Sequence, residues 1–321
     1  MPIPERISVI TRRHSIQQMK RQRKRQRADM FRATLSYLKR ILGDKSFYIC
    51  LLLIFAICFT ASADYDFDKN QSLSVWDLII DTQRIYTGDI SFSACVVSGL
   101  KGGSWLNMFL PLLLPLCFVN ALCDDKSSGF TRYEVIRTGY RRLKSAKYVS
   151  AVLASGICSL IGYCLYVLVV LIRFPHIGSY DAESLSYVLT GIQMSLFDSV
   201  GIAGVYLVNM LDMFIYGIVM SLFSLIVTAY TENKYLICCI PFMVAYCLTQ
   251  LGSWLIGLAV QDPGNTDEVL LTIGNTASPL AANGIVSGAS GVTLVCYYGV
   301  LILISFAVYV FFGKGGADKG A

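Results

Sequence analysis

The chain has 321 residues, of which 55% are hydrophobic and 15% are charged, and its net charge is +6. So little polar surface cannot cover the core of an ordinary soluble domain, and the composition excludes that class. Several apolar runs approach the roughly 20 residues that a helix needs to cross the hydrocarbon core of a bilayer. The six runs are residues 46–63, 103–123, 149–172, 205–229, 235–260 and 292–312.

The runs are expected to be helices, because they lack the alternating pattern of barrel strands and backbone amides in hydrocarbon need internal partners. Their orientation follows from Lys and Arg, since positively charged connections resist translocation. Thirteen of these residues precede residue 46 and seven lie in residues 124–148, whereas residues 64–102 hold three. The net positive charge is therefore a topology signal, and no nucleic-acid partner is expected.

The predicted fold is an all-α polytopic membrane protein with six transmembrane helices and both termini in the cytoplasm. Its transmembrane domain covers residues 46–312, and a cytoplasmic tail, residues 313–321, follows. The chain is thus expected to be a multi-pass protein of the cell membrane.

The chain starts with a basic arm, residues 1–28, that has too few apolar residues to fold alone and is expected to contact anionic membrane lipids. Residues 29–45 have apolar side chains at helical spacing, which predicts an amphipathic interfacial helix before the first span, ending near Gly43. The spaced residues are Phe31, Leu35, Leu38 and Leu42. Two roles remain open for this helix: a simple anchor, or an additional contact with a cytoplasmic partner.

Three connections are expected outside: residues 64–102, 173–204 and 261–291. The first begins like a calcium loop, but its sixth and twelfth positions are Lys69 and Val75, where an EF-hand needs glycine and a bidentate carboxylate. A solvated acidic rim is expected there instead. The third is rich in small residues, which fits either a short re-entrant helical hairpin or a flexible loop.

The cytoplasmic segment 124–148 contains a helix with both ends specified by the sequence. Thr131 and Glu134 have the spacing of a capping box, in which each side chain bonds the other residue's free backbone amide. Gly139 can end the helix, because glycine adopts the left-handed conformation at little steric cost. The predicted helix runs from Arg132 to Thr138, about two turns at 3.6 residues each.

A helix this short is marginal in water and needs a surface to pack against. Tyr133, Ile136 and Arg137 lie three and four positions apart and can form one face, with an aromatic residue and an arginine of the kinds enriched at interfaces. The basic residues that follow are expected to meet lipid headgroups. An ordinary positively charged loop with a fortuitous capping box remains the alternative.

In this context the chain resembles the permease subunits of ABC transporters of the type-2 exporter class. Those subunits have six spans, both termini inside, an amphipathic helix before the first span and a short coupling helix between spans two and three. Residues Asp124–Gly139, with the basic Arg141, Arg142 and Lys147, are similar to the family's acidic residue, glycine and basic re-entry. The topology is similar from Asp29 to about Gly313, and the motif from Asp124 to Lys147.

The resemblance implies a translocation path formed with a second permease chain, identical or different, in the bacterial plasma membrane. The short helix would sit in a groove of a separate ATP-binding subunit, and that subunit would bind ATP and Mg. The implied contact residues are Arg132, Tyr133, Glu134, Ile136, Arg137 and Gly139. The alternative is a non-transporting membrane sensor or scaffold that recruits a cytoplasmic partner.

The sequence offers no sign of an enzyme. It has no Gly-x-x-x-x-Gly-Lys-Ser/Thr loop, so ATP hydrolysis is expected only in a separate subunit. His14 and His176 lie in no His-Glu-x-x-His pattern, and no cofactor or metal is expected. Nine of the eleven cysteines lie inside apolar runs and Cys123 lies at the inner edge of one, and the nine are expected to act as small hydrophobic residues.

Four polar residues inside the apolar runs are candidates for a transport pathway, because polar groups at membrane depth are costly. They are Asp212, Asn209, Asn120 and Gln250. For Asp212 we favour the outer interface, since its apolar run is long enough to slide. Asn120 and Gln250 are expected to form hydrogen bonds between helices rather than to bind substrate.

Overall fold

The computed structural model describes residues 30–66, 71–80, 92, 95–96, 99, 104–127, 133–136, 139–174, 197–231, 233–260, 268–277 and 291–312. Its main helices are α1 Met30–Leu42, α2 Lys45–Cys58, α3 Val75–Ile80, α4 Ser104–Ser127, α5 Tyr140–Arg173, α6 Ile202–Thr228, α7 Lys234–Ala259, α8 Glu268–Ala277 and α9 Gly291–Ala307. Residues 133–136 form a helical turn, and a π-helical segment, Val308–Phe312, continues α9. The predicted basic arm, residues 1–28, and the predicted tail, residues 313–321, lie outside the described residues. The first described residue is Met30, at the start of α1.

Within the part of the chain that the structure describes, four helical segments are long and apolar enough to cross a membrane. They are Met108–Asp125, Tyr140–Arg173, Tyr206–Thr228 and Lys234–Ala259. A fifth crossing results if α1 and α2, which meet at a bend of 65°, are counted as one broken span. The apolar helix at Tyr298–Phe311 is shorter. The predicted helical polytopic class is therefore confirmed, while the count of six spans stays a prediction.

The first apolar run is helical over a shorter stretch than its composition predicts. α2 ends at Cys58 rather than at residue 63, and its 14 residues span about 21 Å against a hydrocarbon core of roughly 30 Å. The helix ends because the next residues form a strand: β1, Ser62–Asp66, pairs antiparallel with β2, Gln71–Ser74. The Val75 amide then donates to the Ala61 carbonyl at 2.9 Å, which ties the sheet to the end of α2.

The bend between α1 and α2 lies at Gly43 and Asp44. The Gly43 amide closes the last turn of α1 on the Lys39 carbonyl at 3.0 Å, and Asp44 then has an extended backbone before α2 begins. α1 presents apolar side chains in two directions. Its buried hydrophobic residues are Tyr37 and Ile41, and its exposed ones are Met30, Phe31 and Leu35. One face of α1 therefore packs on the bundle, and an apolar face is left exposed.

Helices α5 and α6 cross at close range. A Cβ atom at Gly217 of α6 would lie 2.0 Å from the Ser159 Oγ and 2.9 Å from the Ser155 carbonyl oxygen of α5. The Ser159 hydroxyl also donates to the Met213 carbonyl at 3.0 Å. Small residues allow such an approach, and hydroxyls that bond across helices then hold it. This crossing fixes α6, which carries Asp212, against the longest helix.

Replacing Gly217 with Ala is expected to destabilise the protein by about 1–3 kcal/mol, because the added methyl group must push the α5 backbone away. The matched control is Gly257→Ala in α7, where an added Cβ would meet no atom within 4 Å. The measurement is the thermal unfolding midpoint of the purified variants in detergent. Equal midpoints for the two variants would contradict this description of the α5–α6 contact.

Two of the connections predicted outside the membrane pack on the bundle. In the first, the hydroxyls of Tyr163 and Tyr166 of α5 donate to the carbonyls of Val96 and Cys95 at 2.9 and 2.7 Å. In the third, α8 packs on α7, where a Cβ at Gly274 would lie 3.0 Å from the Gly252 carbonyl oxygen. These segments are therefore anchored parts of the fold where the structure describes them.

Candidate functional site

One end of the bundle brings together residues that are far apart in the sequence. We call it the basic end and define it as α1, the end of α4, the 133–136 turn and the starts of α5 and α7. At its centre is Asp125 of α4, whose side chain is 1% exposed and forms ion pairs with Arg40 of α1 and Lys147 of α5. The Lys147 Nζ lies 2.9 Å from the Asp125 carboxylate and is also buried. Since a buried charge requires a partner, these contacts hold three helices in one arrangement.

Tyr37 connects α1 to the 133–136 turn. Its hydroxyl donates a hydrogen bond to the Glu134 carboxylate, and the Lys147 Nζ lies over its ring, 4.9 Å from the centroid. Such a cation–π contact is stronger where both groups are shielded from water, as they are here. Partial burial raises the pKa of Glu134, while the positive charge of Lys147 opposes that rise. The turn is thereby tied to α1 through a buried side chain.

A second ion pair joins α4 to α7 at the surface of the basic end. The Lys234 Nζ lies 2.9 Å from the Asp124 carboxylate, and the two side chains are 44% and 58% exposed. An exposed pair of this kind contributes little to stability because water competes for both charges. Asp124 and Asp125 are adjacent in the sequence, yet only the second belongs to the buried network.

The outer face of the 133–136 turn is apolar and uncovered. Tyr133 is 76% exposed and Ile136 is 84% exposed, whereas Glu134 and Val135 are partly buried. The turn is followed by Gly139, whose amide donates to the Val135 carbonyl at 2.8 Å and whose φ is 82°. Few other residues adopt that conformation, so the glycine lets the chain turn sharply into α5. Tyr133 and Ile136 therefore project from a turn whose other side is fixed to the bundle by the Tyr37–Glu134 hydrogen bond.

The predicted contact residues are described in part. Those that the structure places are Tyr133, Glu134, Ile136 and Gly139. Those that lie outside the described residues are Arg132, Arg137 and, for the helix cap, Thr131. The capping box therefore stays a prediction. Among the described residues, the Tyr37 hydroxyl on a different helix donates a hydrogen bond to the Glu134 carboxylate.

The network around Asp125 is the part of this site that the sequence pattern did not predict. The sequence assigns Asp125 a role only through the family resemblance. It places Arg40 and Tyr37 on the predicted interfacial helix. A usable signal was present, because a carboxylate that is buried beside an apolar run must find a cation, and Lys147 lies just before the next apolar run. Arg40 could not be chosen among the many basic residues before the first span.

Two of the predicted pathway residues, Asn209 and Asp212, are buried in α6, each with 0% exposure. No described residue donates a hydrogen bond to either carboxylate oxygen of Asp212. Asp212 therefore faces the protein interior, while its predicted position near the outer membrane interface stays a prediction.

Replacing Asp212 with Leu is expected to stabilise the protein by about 1–3 kcal/mol, because a buried polar group without hydrogen bonds is costly. Asp212→Asn keeps the shape and polarity of the side chain and should yield a smaller gain. Thermal unfolding of the purified variants in detergent measures both effects. A lower midpoint for Asp212→Leu would show that the carboxyl group holds a stabilising partner.

The other two predicted pathway residues have different environments. The Asn120 amide in α4 donates to the Ser46 hydroxyl at the start of α2, at 2.5 Å, which is an interhelical hydrogen bond. Gln250 is exposed on α7, where its side chain faces away from the packed interior. Asn209 and Asp212 therefore share the buried face of α6, whereas Gln250 lies on an exposed face of α7.

The fold and these sites define a helical membrane protein that crosses the bilayer several times. The chain matches no protein-family model, and no curated protein is similar to it at a significant level. The role of the basic end therefore has to be inferred from its own geometry. That geometry combines a buried ionic network, which fixes the turn, with an apolar surface that has no described partner within the chain.

Proposed function

We propose that the chain is the membrane-spanning subunit of an ABC exporter and that the 133–136 turn couples it to a separate ATP-binding subunit. The observation that carries this proposal is the exposure of Tyr133 and Ile136, 76% and 84%, on a turn that is tethered from its other side. Exposed apolar side chains on a turn that is fixed in position indicate a surface that binds another protein. A protein groove that covers them would remove both from water.

The tether explains how a push on the turn would reach the membrane. Glu134 is bonded to Tyr37 of α1, and the Tyr37 ring contacts Lys147 of α5. Lys147 is in turn paired with Asp125 of α4. Movement of the turn would therefore displace α1, α4 and α5 together rather than be absorbed by a loose loop. α5 would pass the movement to α6 through the close crossing at Gly217.

The other segments of the chain and its partners have the following roles in the exporter. The basic end faces the cytoplasm, α1 lies at the membrane interface, and α2 and α9 complete six spans. Two permease chains, identical or different, form the path, and the buried Asp212 and Asn209 of α6 are its polar candidates. ATP and Mg are bound by the partner subunit, and this chain does not hydrolyse ATP.

The test is gentle purification of the tagged chain from its native membrane, with identification of stoichiometric companions and an assay of ATP hydrolysis. The expected result is a companion that contains a phosphate-binding Gly-x-x-x-x-Gly-Lys-Ser/Thr loop and accounts for the ATPase activity. A chain recovered alone, or with a stoichiometric partner that lacks this loop, would overturn the proposal in favour of a sensor or scaffold.

A further inference from the structure

Three cysteines from three different helices meet inside the bundle. Cys50 of α2, Cys117 of α4 and Cys158 of α5 each have 0% exposure. Their Sγ atoms all lie within 4.8 Å of one another. The sequence pattern treated them as separate small hydrophobic residues, because nothing in their spacing along the chain shows that they converge. Their convergence creates a compact set of three sulfur donors that is buried from solvent.

The spacing of the sulfur atoms suits a metal ion. Three thiolates around an ion with metal–sulfur bonds of about 2.3 Å lie about 4.0 Å apart when the arrangement is planar and trigonal. The observed upper limit of 4.8 Å is within about 1 Å of that distance. The present hydrogen bonds are weak: the Cys50 and Cys158 thiols donate to the Leu113 and Phe47 carbonyls at 3.1 and 3.8 Å.

The donor set selects the kind of ion. Zinc prefers four ligands, or three protein ligands with water, and within the described residues this group contains three cysteines and no fourth His, Cys, Asp or Glu. Soft thiolates in a dry site favour Cu(I), which is stable with two or three sulfur ligands.

We propose that Cys50, Cys117 and Cys158 form a trigonal thiolate site for a soft monovalent metal ion, Cu(I). Each thiol that becomes a ligand releases its proton to the solvent, and no oxidation or reduction takes place. The bound ion links α2, α4 and α5. The site is independent of the proposed ATP-binding partner, because it lies inside a single chain and away from the 133–136 turn in sequence.

The first experiment uses the full-length wild-type chain, purified in detergent under reducing, anaerobic conditions. Cu(I) is titrated in competition with a chromophoric Cu(I) chelator, and the complex is studied by X-ray absorption. The expected result is one tightly bound equivalent with sulfur neighbours alone. Mass spectrometry after alkylation of the folded chain should show that these three cysteines react less in the presence of Cu(I) than in its absence, in a chain with eleven cysteines in all.

The second experiment compares variants. Cys50→Ser, Cys117→Ser and Cys158→Ser should each weaken Cu(I) binding by more than about 100-fold, the upper range seen when only a supporting partner of a metal ligand is changed. Cys247→Ser, at an exposed position of α7, is the matched control and should leave the affinity unchanged. The wild-type protection pattern does not depend on whether a variant folds.

Several results would overturn the proposal. One is wild-type affinity in a folded Cys117→Ser variant, and another is an absorption spectrum with nitrogen or oxygen ligands. A third is protection of cysteines other than these three. Failure of the wild-type chain to bind Cu(I), together with formation of a disulfide within the trio, would show instead a pair of oxidisable thiols.

Discussion

Replacing Asp125 with Ala is expected to lower the stability of the folded chain by about 3–5 kcal/mol, the cost of breaking a buried ion pair by removing one partner. The reason is Lys147, whose side chain is 6% exposed and would lose the Asp125 carboxylate that lies against it. Arg40, at 48% exposure, can turn to water and should contribute less to the loss. The change should therefore loosen α4 and α5 at the basic end.

Two controls separate this effect from the loss of any carboxylate. Asp124→Ala removes the neighbouring exposed ion pair and should cost less than about 1 kcal/mol. The double variant Asp125→Leu, Lys147→Met removes both buried charges and should recover most of the stability. Unfolding of the purified chains in detergent, followed by circular dichroism, measures all three. Equal losses for Asp124→Ala and Asp125→Ala would show that the Asp125 network is not the stabilising element.

Replacing both Tyr133 and Ile136 with Ser is expected to weaken binding of the ATP-binding subunit by roughly 1,000-fold or more. Buried aromatic and apolar anchors at the centre of an interface cost about 2 kcal/mol or more each when truncated, and 4 kcal/mol is nearly three powers of ten in Kd. The stability of the free chain should hardly change, because neither side chain is buried in it.

The binding prediction is checked with the companion subunit recovered from native membranes, by titrating it against the purified variants in detergent. Ile80→Ser is the matched control, since Ile80 of α3 is 65% exposed and lies outside the basic end. It should bind like the wild type. If the Tyr133, Ile136 double variant bound with wild-type affinity, the 133–136 turn would not be part of the interface, and the exposure of its side chains would have no explanation.

The helices of the bundle could be predicted from the sequence because their apolar runs exceed what a soluble helix needs. The end of α1 at Leu42 could also be predicted, because Gly43 follows the last of the apolar residues at helical spacing. The early end of α2 at Cys58 was not, since residues up to 63 remain apolar or small. Pairing of β1 with β2 decides that boundary, and strand pairing depends on residues further along the chain.

The candidate sites could be predicted only where the information is local. Tyr133 and Ile136 share a helix face by their spacing alone, and the structure shows both exposed. The partners of Asp125 depend instead on which basic residue is brought near by the packing of α1 and α5. The cysteine trio is the extreme case, because three helices must cross at one level before its members meet.

The most direct test of the coupling proposal places a photoreactive amino acid at position 136 of the chain in its native membrane. Irradiation should cross-link it to a polypeptide that carries an ATP-binding Gly-x-x-x-x-Gly-Lys-Ser/Thr loop, and the yield should change when ATP is added. The same amino acid at position 80 should not capture that polypeptide. Cross-links from position 136 to lipid alone, or to a protein without such a loop, would contradict the assignment of the 133–136 turn as a coupling element.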